Sequence, residues 1–536
     1  MGFRGFIGSL LVASSFDDLA VWSFSGHSLQ HGVRTFPRAT VGLGAWRSRL
    51  SHKKDGAAAI QELVAGIELP PGNEGGQDHQ LLAFLFVSRH FAGDFEVIAK
   101  RASEALGKGA TCLALLGGGV VGGGAEVEGG AAAISLLAGP LPPGSELTSF
   151  RFTEDEPPPP PWFSTWRSLV GDLSNEPEGQ GTSPSMRPPR ALDVKLGRAP
   201  SFVVFADPWA RIDPLLAGLD GVGKTDWGGS IVAGGISCPL GDDSRPSVAL
   251  NGVAYPRGSS VGVSLRGNVG LQAVVAQGSR SVGPTLTMTR ARGNVCAELS
   301  GRPALEALEA VARQLDPKEK ELIRTGGLLC GVAAPKALGY AAPQDDDKDA
   351  KPAPPTNDFL VRQIIGVGKQ GELVVGAEVQ EGDAFRFQVR DAETARADLR
   401  LMCLRAKTER LFSMSAAGDE DSAGAPQEEK RPTQGRPLAG LQVSCVARGR
   451  GLFGEPGVDS QQILTFLGGF VKSVRSVGGT SEDGAALGGF FANGEIGPVG
   501  IAGFSGPRAP ARTHVHGFTT VLGVIADYSN SDSGPE

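Results

Sequence analysis

One grammar recurs three times along this chain: an apolar strand, an amphipathic helix, a second apolar strand, a glycine-rich loop and a third strand. The first copy runs from Leu81 to Leu137, through LLAFLFVS, FAGDFEVIAKRASEAL, CLALLGGGVVGGGAEVEGG and AAAISLLAG. The last runs from Leu441 to Ile525, through LQVSCVARGRG, DSQQILTFLGGFVKSV, AALGGFFANGEIGPVG and HGFTTVLGVI, and a looser middle copy begins at Ser201 with SFVVFADPWARIDPLLAGL. Alternating strand and helix periods of this kind predict an α/β (α+β) protein, with mixed β-sheets covered by helices. They also put glycine loops beside strand ends, where such proteins hold ligands. The pattern points to binding before chemistry.

A chain of 536 residues is too long for one core, so two domains and tails are expected. Glycine is the compositional outlier, with 78 residues, about twice the usual share of roughly 7%. Without a collagen period, this marks tight turns and close backbone approaches. Three tyrosines and six tryptophans leave few platforms for base stacking, and a net charge of −7 with scattered basic residues gives no phosphate-tracking face, so nucleic acid is not an expected partner. The cysteines, at 112, 238, 296, 330, 403 and 445, form no CxxC pair and lie in apolar patterns. They read as buried thiols in a reducing compartment, with no metal site and no cofactor implied. No apolar run has the roughly 18 residues of a membrane span.

Residues 1–54 differ in kind. Their only acids are Asp17 and Asp18, against Arg4, Arg34, Arg38, Arg47, Arg49, Lys53 and Lys54, with many serines. This composition fits an organellar transit peptide, chloroplast or mitochondrial, and equally a disordered tail of a cytoplasmic protein; the thiols argue against secretion.

Beyond it, two domains are expected at 55–297 and 298–527, with a tail at 528–536. The first holds a proline-rich insertion at 139–200, including five consecutive prolines from Pro157. The second carries polar loops at 343–355 and 418–437. Phe91, Phe95, Ile98, Ala102 and Leu106 recur at helical spacing in the first copy. Strand-like runs at Phe202–Phe205, Ser247–Tyr255, Val261–Leu265, Leu271–Ala276 and Thr285–Arg290 are expected to share one mixed or antiparallel sheet. Pro303 opens a helix with Leu305, Leu308, Val311 and Leu315 on one stripe. In the last copy Asp459 stands where a helix cap is wanted.

Candidate motifs divide by context. GLDGVGKT (218–225) matches a phosphate loop in letter, yet RIDPLLAG before it reads as helix and TDWGGSIVAGG after it is too glycine-rich to be one. The loop 117–130, carrying Glu126 and Glu128, reads as an exposed β-hairpin connection. Asn493, Gly494 and Glu495, with His514 and His516 downstream, put an amide, a carboxylate and imidazoles near one rim. Cys445 precedes Arg448, and a Cys445/His516 nucleophile is conceivable, although a cysteine in an apolar strand is usually core. No GxSxG, HExxH or paired-carboxylate pattern appears, and the chain is not expected to be an enzyme.

LLAFLFVSRHFAGDFEVIAKRASEALG with LALLGGGVVGGGAEVEGG, and later VGVSLRGNVGLQAVVAQGSRSVGPTLTMTRARGNVCAEL, resemble the N-terminal domain of the FIST (F-box and intracellular signal transduction) family. RPALEALEAV, DFLVRQIIGV, VQEGDAFRFQVRDA, LQVSCVARGRGLFGEP, LGGFFANGEIGPVG and HGFTTVLGV, in that order, are similar to its companion C domain. The resemblance implies a sensory module binding a small ligand such as an amino acid. In eukaryotes it also implies substrate recruitment to ubiquitin ligases beside an F-box, but 17–49 offers few leucines at helical spacing. Motif residues carried over are Arg390 and Asp391 (FQVRD), Cys445 and Arg448 (SCVARGRG) and Asn493, Gly494 and Glu495 (ANGEIGP), with His516 added from the rim. An arginine among them would pair a ligand carboxylate, and Glu495 or Asp391 its ammonium.

Overall fold

The computed structural model of the chain describes residues 46–65, 67, 80–160, 166, 199–222, 229–241, 243–333, 359–415, 435–472, 486–504 and 512–529. Residues 1–45, most of the proline-rich segment, the loop 343–355 and the end of GLDGVGKT lie outside them.

In chain order the first copy comprises β1 (Arg47–Ser51), α1 (Gly56–Val64), β2 (Leu81–Ser88), α2 (Phe95–Leu106), β3 (Ala110–Gly117), β4 (Val120–Gly122), β5 (Ala125–Val127) and β6 (Ile134–Pro140). After β7 (Ser145–Phe152) the second copy gives β8 (Ser201–Ala206), α3 (Ile212–Val222), β9 (Ile231–Ile236), β10 (Val248–Leu250), β11 (Val253–Tyr255) and β12 (Ser260–Gly267), followed by β13 (Val269–Gln277). Then come β14 (Ser279–Arg292), β15 (Val295–Leu299), β16 (Arg302–Pro303), α4 (Ala304–Gln314), α5 (Pro317–Gly326), β17 (Leu328–Ala333), β18 (Phe359–Val367), β19 (Leu373–Val375), β20 (Ala384–Arg390) and α6 (Ala392–Ser415). The third copy is β21 (Arg436–Cys445), α7 (Arg450–Phe453), α8 (Val458–Lys472), β22 (Ala486–Ala492), β23 (Gly494–Gly497), β24 (Ile501–Ala502), β25 (His514–His516) and β26 (Thr519–Asp527).

The described residues divide into two compact units. One contains 277–397 with 516–518, and the other holds the rest, including the three copies apart from 516–518. In the larger unit each copy builds one sheet on one plan. The two strands flanking the helix are parallel (β2–β3, β8–β9, β21–β22), and the closing strand lies antiparallel to the first (β6, β12, β26). Beyond the second strand, however, each sheet is completed by a strand from another copy. β10 of the second copy adds to β3, β4 of the first to β22, and β23 of the third to β9, all antiparallel. The exchange is cyclic, so no copy closes its sheet alone.

Period-2 burial explains the layers. In LLAFLFVS every residue is buried: Leu82, Phe84 and Phe86 point to a core shared by all three sheets, while Leu81, Ala83, Leu85 and Val87 meet α2. Phe91, Phe95, Ile98, Ala102 and Leu106 are all buried there, as their spacing predicts. A second outer core packs α3 on β8 and β9. A third packs α8 and Leu399, Met402, Cys403 and Ala406 of α6 on β13, β22 and β26. At the centre Phe86, Phe205 and Phe490 touch pairwise, with ring centroids 5.5 to 5.9 Å apart. One aromatic ring comes from each copy.

The exchange corrects the expectation of a single sheet from Phe202 to Arg290, because β8 with β12, β10 with β11, β13, and β14 enter four different sheets. Two segments expected outside the fold also belong to it. Arg47–Ser51, placed in the N-terminal segment, pairs antiparallel with β6 and brings Trp46 into the central core. Ser145–Phe152, placed in the insertion, pairs antiparallel with β12 because its alternation sends Phe150 and Phe152 under α3.

The smaller unit is a different object. β14, β20, β17, β18, β19 and β15 form an antiparallel sheet that closes on itself through β14–β15. Bulges in β14 and β18 supply the bends that closure needs. Phe385, Phe387, Val389, Met288 and Leu373 fill its core with Leu308 and Val311 of α4. Asp316 and Glu319 form a capping box on α5. The whole is α+β, and among the described residues no helix is long and apolar enough to cross a membrane.

Candidate functional site

The glycine loops of the three copies meet at one end of their sheets in a closed cycle of backbone hydrogen bonds. Gly118 N–H donates to the carbonyl of Phe491 at 2.8 Å, Asn493 N–H to Ile236 at 3.0 Å, and Cys238 N–H to Leu116 at 2.8 Å. Each donor is two residues beyond the residue that accepts in its own copy, so Gly118, Cys238 and Asn493 occupy one equivalent position. The side chains there are nothing, a thiol and a carboxamide. A Cβ on Gly118 would lie 2.5 Å from Val446 Cγ1 and 3.4 Å from Cys238 Sγ, so glycine is what lets elements of all three copies approach.

Next to this ring, Ser88 and Cys445 at the ends of β2 and β21, and Asp207 just past β8, continue the inward-facing series of Phe86, Phe205 and Val443. Ser88 Oγ donates to Ala131 O at 2.8 Å and accepts from Ala133 N at 3.1 Å. Asp207 accepts from Ser247 Oγ, from Trp209 N at 3.1 Å and from Gly258 N at 2.9 Å. These groups brace their own loops. The residues that follow, Arg89 with His90, Trp209 and Val446, form the rim. Burial pushes the Cys238 thiol up, and the Arg89 guanidinium opposes that shift.

Behind the ring, on the helix side of the third sheet, lies a buried polar chain. Arg448 is 1% exposed and grips Asp459 bidentately, at 2.7 and 2.9 Å. Asp459 also accepts from Thr520 Oγ1 at 2.7 Å, and Thr520 meets Ser444 at 3.1 Å. Burial works against the charge on Arg448, but Asp459 outweighs it and the guanidinium is held above its ordinary value. The cap of α8 comes from elsewhere than expected. Glu126, at the end of the hairpin leading out of the Gly118 loop, accepts from Gly457 N at 2.7 Å and Ser460 N at 3.1 Å, while Asp459 is committed to Arg448. Glu128 accepts from Arg450 N at 3.0 Å, and burial pushes its carboxyl up to about 7. The loop expected to be exposed is thus a clamp between copies.

The structure distributes the predicted site residues. Asn493 is in the ring with an exposed side chain, Gly494 begins β23, and Cys445 ends β21. Glu495 is buried and accepts from Thr519 N at 3.2 Å and Oγ1 at 2.6 Å. Arg448 is in the buried chain. Arg390 and Asp391 are in the smaller unit, as is His516 of β25, which is buried. There Arg390 faces the Phe518 ring at 6.0 Å. Asp391 takes Arg280 Nε at 3.1 Å and Glu393 N at 3.0 Å; burial would raise its carboxyl, but these donors hold it below the ordinary range. Arg89, Gly118, Cys238 and Val446 escaped the sequence reading. The equivalence of 118, 238 and 493 follows from the parallel pairing of first and second strands, which sets Ser88 against Gly117, Ala206 against Ile236 and Cys445 against Ala492; the connections between those strands differ in length, so the sequence alone carried no signal for it.

One unit is built of three strand-exchanged copies and the other is a closed antiparallel barrel, and both are of α+β character. The model of the FIST N domain matches residues 81–302 and that of the FIST C domain residues 307–498, and the chain belongs to the FIST family, one of signal-transduction and sensory domains. It is similar to the uncharacterized protein Rv0628c of Mycobacterium tuberculosis, with 32% identity over 268 residues, 50% of this chain and 54% of that protein. It is likewise similar to the uncharacterized protein Mb0898c of Mycobacterium bovis, 33% identical over 268 residues, 50% of this chain and 53% of that protein. The chain spans about half the length of these curated relatives.

Proposed function

We propose that this protein is a sensor that reversibly binds a small polar metabolite, such as an amino acid, at the rim where the three copies meet, and acts by binding rather than catalysis. The observation that carries this reading is the cycle Gly118–Phe491, Asn493–Ile236, Cys238–Leu116. Three strand ends converge there, at the place where α/β sheets hold ligands. A ligand seated on the ring touches all three copies, and the Glu126/Glu128 hairpin leads from the ring to α8, which gives occupancy a route to a second surface. The thiols and the basic, serine-rich composition of residues 1–54 support a reducing cytoplasmic or organellar compartment.

The test is a thermal melt of the full chain against a panel of amino acids and related metabolites. A ligand that binds only the native state stabilises it by about 2.7 kcal/mol at a hundredfold excess over Kd. A panel without any shift removes the sensor reading. The competing reading, an interaction module in ubiquitin-ligase assembly, predicts co-purification with an F-box adaptor instead.

A further inference from the structure

We infer that the ligand of this rim is an organic acid with an apolar body, its carboxylate met by Arg89 and its hydrocarbon by Trp209, Leu240 and Val446. The inference rests on the reading of the rim as a binding site and names the chemical class of what sits there.

Arg89 is the first residue past β2. Its Nε is shielded from solvent and has no hydrogen-bond partner among the described residues. A guanidinium placed so is incompletely satisfied, and the group that completes it best is a planar anion such as a carboxylate. Ser88 is the register partner of Gly117 across the parallel pair β2–β3, so Arg89, one residue further on, leaves its strand at the level of Gly118 in the ring.

Past the corresponding strand ends of the other copies, large apolar side chains are left open to solvent: Trp209 is 40% exposed, Leu240 49% and Val446 41%. A single exposed apolar residue needs no explanation. Here, though, each follows within a few residues of the end of a different strand, β8, β9 and β21, at the same end of the sheets as the ring. Arg257 lies over the Trp209 indole at 3.6 Å and holds it in one orientation. The carboxylate of Asp207 is saturated by Ser247, Trp209 N and Gly258 N, and that of Glu495 is buried on Thr519. Neither is presented to an ammonium, which favours a simple acid over a zwitterion.

The experiment titrates the full chain with sodium acetate, butyrate, hexanoate and phenylacetate, and in parallel with hexanol, hexylamine, glycine and leucine, by calorimetry and thermal melts. Affinity is expected to rise about fourfold per methylene from acetate to hexanoate, and hexanol and hexylamine to bind at least about tenfold more weakly than hexanoate. Arg89→Gln should weaken hexanoate about tenfold and Arg89→Lys less, while Val446→Ser should flatten the chain-length series; ligand-free melts confirm that each variant folds. Stabilisation by leucine or glycine with none by hexanoate overturns the organic-acid inference and leaves the sensor reading standing. Hexanoate binding that ignores Arg89→Gln also overturns it. A chain that responds to none of these compounds overturns the organic-acid inference, and the sensor reading falls with it only if the full metabolite panel also gives no shift.

Discussion

The amide of Gly118 donates to the carbonyl of Phe491 at 2.8 Å, with Val446 packed where a side chain of residue 118 would stand. Val446 is half-exposed and free to turn aside, so Gly118→Ala is expected to cost little stability, about 1 to 2 kcal/mol. It should nevertheless alter the rim. A melt with and without the best ligand of the screen separates the two effects: the ligand-free midpoint moves slightly and the ligand-induced shift is lost.

Gly489 presents the opposite case. A Cβ there would lie 1.8 Å from the carbonyl oxygen of Gln442 on the parallel neighbour β21, and backbone within a sheet cannot step aside. Gly489→Ala is expected to cost more than about 3 kcal/mol. Urea unfolding checks it; a midpoint near that of the parent chain would show that the β21–β22 pairing is looser than the register implies.

Arg448 and Asp459 are both buried and paired bidentately. Removing one partner strands the other charge, so Arg448→Met should destabilise by about 3 to 5 kcal/mol, and Arg448→Met with Asp459→Leu should recover much of that loss. A double-mutant cycle in urea measures the coupling. Additive losses would mean that the pair contributes nothing as a pair.

Glu128 has a folded pKa raised from the ordinary carboxylate value to about 7. A raised folded pKa contributes stability that is fully present below the unfolded value and is lost as pH rises through about 7. Burial is the main cause; Arg450 opposes it, while Glu126 and Asp459 add to it. Glu128→Gln removes the titration, so the variant should gain stability relative to the parent between pH 5 and pH 7.5. Urea midpoints of both proteins across that range test the sign.

The helices and strands were largely legible, because side-chain period is a local property. The stripe from Phe91 to Leu106 and the run LLAFLFVS describe their own burial without reference to any partner. β1 and β7 were harder to see. They are half-buried edge strands whose polar alternation resembles a loop until a neighbouring strand is placed beside it. In the candidate site, Asn493 and Gly494 were legible from their loop, whereas Arg89 and Val446 draw their significance from the ends of strands far away in sequence. The commitment of Arg448 to Asp459 was not legible either, since an arginine's sequence neighbours do not reveal which carboxylate it meets.

The amino-acid sequence by itself determined that three strand–helix–strand copies exist, that their strands are buried on both faces, and that glycine loops stand at the strand ends, because periodicity and backbone permissiveness are written residue by residue. Only the tertiary structure decided that β4, β10 and β23 each leave their own copy to complete another's sheet, and that 277–397 closes into a barrel of its own. The physical reason is that strands pair through backbone amides and carbonyls that are the same in every residue. The choice of partner follows from the shared core around Phe86, Phe205 and Phe490, which does not exist until the three copies assemble.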